Sequence, residues 1–156
     1  LPQQIAWERP ARLEFGGQYL IAEAAPSNAP AVVDDPADIL AAAERDREVA
    51  RRKIVDWTRF FDSAGPEGRS IALWGAGSKA AGFLTTLARP EPIPVVDINP
   101  HKHNSFIPMT AQPVVAPDAL RARPPTDVII MNPVYTREIA QQLRSLSLAA
   151  RLHPLE

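Results

Sequence analysis

The segment Ile71-Ala72-Leu73-Trp74-Gly75-Ala76-Gly77-Ser78-Lys79-Ala80 runs from an apolar stretch into a glycine-rich turn and a helix start. Residues of these types in this order suit the binding of phosphate. Gly75 permits a tight turn, Gly77 lets the backbone approach a ligand with no side chain between, and Ala80 is small enough for close helix-to-strand packing. Amides of the turn and of the helix N-terminus face an anion with positive partial charge. Lys79 adds a full positive charge at the same place, and Ser78 reads equally well as a helix-start residue. Asp97 follows a second apolar run, Ile93-Pro94-Val95-Val96, at about the distance where a dinucleotide fold places its ribose-binding acid. An acid there also serves as a helix cap or turn former.

In an open parallel sheet the ligand crevice lies beyond the carboxyl ends of the strands. Three connecting segments are therefore expected to share one rim: Gly75 to Lys79, Asp97-Ile98-Asn99-Pro100-His101-Lys102-His103-Asn104, and Asn132-Pro133-Val134-Tyr135. The candidate binding residues are Gly75, Ala76, Gly77, Ser78, Lys79, Asp97, Asn99, His101, Lys102, Asn132 and Tyr135. Together they offer backbone amides, a lysine pair, an acid, side-chain amides, imidazole and a phenol, which suits a sugar nucleotide. No catalytic set stands out, since Ser78 has no evident base beside it. A loop histidine serves as acid or base near neutral pH or merely faces solvent. His101 and His103 lack a third ligand at a helpful spacing, so no metal site is expected.

These segments need a scaffold, and the hydrophobic pattern supplies one. Residues 1–35 read as an extended N-terminal segment or hairpin and a linker. Within it Gln18 to Ala22 is the expected strand, Gly16-Gly17 a turn, and 26–35 a proline-, alanine- and aspartate-rich connection. Asp35-Pro36 supplies an N-cap and a first-turn proline for a long helix, assigned to 36–64. Leu40, Ala43, Ala50, Ile54, Trp57 and Phe61 form its apolar stripe, interrupted by Arg47, and the charged run from Glu44 to Lys53 forms its solvated face. Such a helix packs on its own sheet, on a second copy or on a neighbouring domain. Over 65–156 the reading is strand 71–74, helix 79–88, strand 93–97, a strand at Val114-Val115, helix 117–122, strand 127–131, helix 135–146 and a closing strand near 148–152. The fold class is α/β: a Rossmann-like parallel sheet flanked by helices, with apolar strands buried on both faces.

The chain has 156 residues, a net charge of -1 and no cysteine. That length suits about one domain, and the charge leaves no broad basic field for nucleic acid or anionic membrane. Disulfides and thiolate metal sites are excluded. No apolar run approaches the length that spans a bilayer and no signal peptide is evident, which makes the cytoplasm the expected compartment. The 17 prolines sit mostly between elements. Leu1 in the place of methionine fits a piece of a longer protein.

Trp74 to Lys79, Val96 to Lys102, Phe106-Ile107-Pro108-Met109-Thr110, and Asp127 to Tyr135 with Glu138-Ile139 resemble, in order and spacing, the carboxyl-terminal domain of the C-methyltransferases that act on nucleotide-linked deoxysugars. Asn104 and Met109 stand where the family pattern favours glycine, and Asn132-Pro133 replaces a Pro-Trp-Asn version of the last block. Phe15 and Gln18 depart from a His-Gly-Gly-Ser stretch that joins domains in the family. The resemblance implies a Rossmann-like domain that holds the nucleotide sugar in a parent enzyme. S-adenosylmethionine and the catalytic base would belong to a separate domain that this fragment lacks, so no cofactor is expected here. A free-standing nucleotide- or NAD-binding module and a structural interaction or dimerisation domain remain as alternatives.

Overall fold

The computed structural model describes residues 4–7, 11–14, 19–27 and 36–155. They divide into two compact units, Leu1–Glu48 and Val49–Glu156. In the first, β1 (Gln4–Trp7) pairs antiparallel with β4 (Ala24–Ser27), and β2 (Arg12–Glu14) with β3 (Tyr19–Ile21). The expected hairpin character is present. Gly16, Gly17 and Gln18 lie outside the described residues, as does 28–35 of the linker read over 26–35, with its Asp35 cap; Pro26 and Ser27 of that stretch are instead paired in β4.

Helix α1 (Pro36–Ala64) opens on the proline that its sequence places there. Its 29 residues span roughly 43 Å at the rise of an α-helix. Its stripe divides along its length. Phe61 and Ala64 are buried, with Trp57 and Phe60 packed against the same core, whereas Leu40 is 65% and Ile54 40% exposed and Ala43 and Ala50 also face solvent. Packing on its own sheet therefore accounts only for the last turns. Most of the run from Glu44 to Lys53 is exposed, as a solvated face requires.

In the second unit five parallel strands lie in the order β7 (Val114–Val115), β6 (Val95–Val96), β5 (Ile71–Trp74), β8 (Asp127–Ile130), β9 (Arg151–Pro154). Helices α2 (Ser78–Leu87) and α3 (Thr136–Ser145) complete the α/β arrangement. Successive strand residues point to opposite faces. Leu73, Val95 and Ile129 thus pack with Ala80, Leu84 and Phe61, while Ala72, Trp74, Val96, Val128 and Ile130 pack with Ile139 and Leu143.

Several elements differ from the sequence reading, the largest differences for local reasons. The strand read over 93–97 is reduced to Val95–Val96, because Pro94 has no amide hydrogen and the Ile93 amide donates to the side chain of Gln112 instead. The closing strand begins at Arg151, since Ser147 turns with φ +60° and the Leu148 amide returns to the Leu143 carbonyl to end α3. The helix read over 135–146 is a short 3-10 turn, Pro133–Tyr135, capped by Asn132, followed by α3. The short helix read at 117–122 is likewise a 3-10 turn, Pro117–Arg121.

Asn104 and Met109, the two positions where the resembling family favours glycine, have φ +59° and +68°. The glycine preference is thereby explained by backbone conformation. Asparagine tolerates this region, whereas methionine is strained in it. Met109 is 89% exposed and loses little packing on truncation. Met109→Gly is expected to raise stability by about 0.5–1 kcal/mol in urea unfolding; an unchanged or lower midpoint would contradict the strain.

At the amino edge of the sheet the first residue of β8, Asp127, is fully buried. Its carboxylate accepts from Thr126 Oγ1 at 2.6 Å, Arg151 Nη2 at 3.1 Å and His153 Nε2 at 2.7 Å, and Arg69 Nη1 lies 3.7 Å away. The Arg69 guanidinium lies 4.6 Å from the Phe60 ring centre and donates to the Phe60 carbonyl and to Ser63 Oγ. The His153 ring packs on Phe60 at 4.8 Å. Burial alone would raise the Asp127 carboxyl, but the bonds from Thr126, Arg151 and His153 outweigh it and hold the group below the ordinary carboxylate range.

Candidate functional site

The glycine turn follows β5 directly. Gly75 takes φ +112°, and a β-carbon there would lie 3.3 Å from Cβ of Met131. Both conditions require glycine. Gly77 is different: it is the N-cap of α2 with φ -114°, an ordinary extended value, and a β-carbon there would meet nothing within 4 Å. The fold itself makes no steric demand for glycine at 77. Ser78 opens α2 without capping it by its side chain, and Lys79 is exposed in the first turn. The amides of a first helical turn have no acceptor within the helix. Ala80 is fully buried, in keeping with its expected role in close packing.

The second segment is tied to the first through Asp97, which is 8% exposed. One carboxylate oxygen accepts from the Ala76 amide and from Lys102 Nζ, both at 2.9 Å, and the other from the Asn99 amide at 2.9 Å. Lys102 Nζ also donates to the Ala76 carbonyl at 3.0 Å, so acid and lysine together grip one residue of the turn by its amide and its carbonyl. His103 Nε2 lies 2.7 Å from the Asp97 carbonyl oxygen. Burial would raise the Asp97 carboxyl; the Asn99 amide, Lys102 and the Ala76 amide overcome this and lower it. Asn99 is exposed and accepts from the His101 amide, capping the 3-10 turn Pro100–Lys102, and His101 faces solvent.

The third segment follows β8, the neighbour of β5. The Met131 amide donates to the Trp74 carbonyl at 3.0 Å, and Asn132 accepts from the Val134 amide. Tyr135 is 55% exposed, with Val134 (50%) on the same segment and Ile98 (67%) on the second. Because β6, β5 and β8 are adjacent and parallel, all three segments leave the same carboxyl edge. Gly77, Ser78, Lys79, Asn99, His101 and Tyr135 are open to solvent there, whereas Asp97 and Lys102 are engaged with the turn. A cavity lined by Phe61, Ile93, Leu120, Arg89 and Arg123 sits at the opposite edge and includes none of these candidates. Among the described residues no cluster of histidine, aspartate and glutamate is arranged to hold a metal ion, and no helix is long and apolar enough to cross a membrane.

Two groups escaped the sequence reading. The ring of His103 bonds backbone and not ligand, a role that spacing does not encode. Asp127 and His153 carry a weak signal, a charged residue opening an otherwise apolar strand and an imidazole in the strand that pairs with it. A family model described as the C-methyltransferase C-terminal domain matches residues 38–150. No curated protein matches the chain.

Proposed function

The chain belongs to the C-methyltransferase C-terminal domain family, and from that premise we propose that it binds the nucleotide-linked sugar acceptor of an S-adenosylmethionine-dependent C-methyltransferase. The diphosphate would lie on the first turn of α2, against the amides of Gly77 and Ser78 and the Lys79 ammonium, with Asn99, His101, Asn132 and Tyr135 along the rim. The observation that carries this reading is Gly77, an exposed glycine whose backbone and neighbours leave room for a side chain, next to an exposed lysine and an N-terminus with no side-chain cap. Absence of a side chain there serves an incoming group rather than the fold. Exposed Ile98, Val134 and Tyr135 offer apolar surface for a deoxysugar ring or base.

Asp97 argues against adenosine at this rim. Three bonds from within the chain already fall on its carboxylate and the residue is only 8% exposed, which leaves a single acceptor site where a ribose diol needs two. This disfavours a free-standing NAD module and supports placing S-adenosylmethionine in another part of the parent enzyme. Methylation of carbon beside a carbonyl requires removal of a proton and aim of the resulting enolate at the methyl group. This reading gives the chain the task of orienting the acceptor; it assigns proton removal to no residue here.

Calorimetric titration tests the proposal. A thymidine-diphosphate-linked sugar is expected to release heat of binding and NAD none. Lys79→Ala should weaken binding about tenfold through loss of one charge-assisted bond, and Gly77→Val should abolish it. No methyl transfer is expected from the chain alone. Binding of NAD in preference, or sugar-nucleotide binding indifferent to both substitutions, would overturn the reading.

A further inference from the structure

The cavity at the amino edge of the sheet has a volume of about 720 Å³, within the range of small-molecule pockets. The starts of β5, β6 and β7, the last turn of α1 and the Pro117–Arg121 turn supply its walls, all within the unit Val49–Glu156. Pro66, Pro92, Pro94, Pro113 and Pro125 line it, and proline offers no amide hydrogen. The carbonyls of Pro94 and Pro113 already accept from the Leu73 and Val95 amides, and the Ile93 amide donates to Gln112. Phe61, Ile93 and Leu120 add buried apolar side chains. Such walls suit an apolar body.

The charges decide what that body carries. Arg89 donates through both terminal nitrogens to one oxygen of Asp62 at 2.7 Å, with Glu91 at 3.5 Å, so the two acids that line the cavity are matched. Arg69 is matched by Glu67 and Asp127. Arg123, the third arginine of the wall, is exposed, and its guanidinium makes no ion pair or hydrogen bond among the described residues. A second donor is also left over: Arg89 Nε is buried with no hydrogen-bond acceptor among the described residues, the Glu91 oxygen being too distant for a good bond. We propose that this cavity binds a small molecule with an apolar body and one carboxylate, the body against Phe61, Ile93 and Leu120 and the carboxylate on Arg123. One free guanidinium matches a single negative charge, and its fork fits two carboxylate oxygens.

Calorimetric titration of the intact chain with naphthoate, decanoate and uncharged naphthylmethanol tests this. A dissociation constant of about 100 μM is expected for the better acid, with naphthylmethanol about tenfold weaker than naphthoate. Either acid ahead of the alcohol supports the site, and the tighter of the two names a ring or a chain as the body. Arg123→Leu should bring naphthoate down to the affinity of the alcohol and leave the alcohol unchanged, a pattern that general loosening of the fold does not give. Ala119→Trp, at an exposed position of the wall, should abolish binding of all three, with circular dichroism showing the fold intact. No heat from either acid at about 1 mM, acid binding indifferent to Arg123→Leu, or acid binding that survives Ala119→Trp would overturn the inference. These outcomes do not depend on ligand binding at the rim.

Discussion

Asp127→Ala is expected to lower the unfolding free energy by about 3 kcal/mol, as removal of one member of a buried ionic cluster does. The aspartate side chain is wholly inaccessible, and its loss leaves His153 Nε2 without its carboxylate partner and removes the negative charge beside Arg69 and the Thr126 hydroxyl. Arg69 is itself only 11% exposed, so water replaces the lost carboxylate poorly. Arg151, 65% exposed on the same carboxylate, sets the contrast: Arg151→Ala should lose less than about 1 kcal/mol. Urea unfolding of the two variants measures the difference, and near-equal losses would show that water enters the cluster freely. The lowered pKa values of Asp127 and Asp97 fix the sign of the pH dependence. Each carboxylate stabilises the fold fully above its unfolded value of about 3.9. That contribution falls away as the pH drops through the lower folded value.

Gly75→Ala is expected to cost about 2–3 kcal/mol, the sum of a strained backbone and a displaced neighbour. At φ +112° an L residue finds no comfortable conformation, and its methyl would meet the β-carbon of Met131, which belongs to backbone-anchored structure and not to a flexible tip. The same substitution at Gly77 meets open space and should lose less than about 1 kcal/mol through weaker capping. Thermal unfolding of the pair separates a glycine that the fold needs from one that it does not. Equal losses would remove the argument that Gly77 is shaped for a ligand.

Much of the parallel sheet was legible because its strands are continuous apolar runs bounded by glycine and proline, as at Ile71–Trp74 and Asp127–Ile130. The glycine turn and α2 were legible for the same local reasons. What could not be read locally was whatever depends on partners far along the chain. Asp97 sits where an acid was expected, but its preference for the Ala76 amide and Lys102 over an outside ligand is decided by folded geometry. Arg69, Asp127, Arg151 and His153 come together only because β8 and β9 pair in parallel. Beyond Trp57 toward the amino end, the stripe of α1 is not covered by the sheet, which the sequence left open, since periodicity reports amphipathicity without naming what lies opposite.

The aromatic and guanidinium contacts at the foot of α1 make that foot a fulcrum. Phe60 is held by Arg69 on one side and His153 on the other, and both reach Asp127. A torque on the last turns of the helix is consequently delivered into β8 and β9 at the amino edge and, through Trp57 and Phe61 against Phe83, into α2 as well.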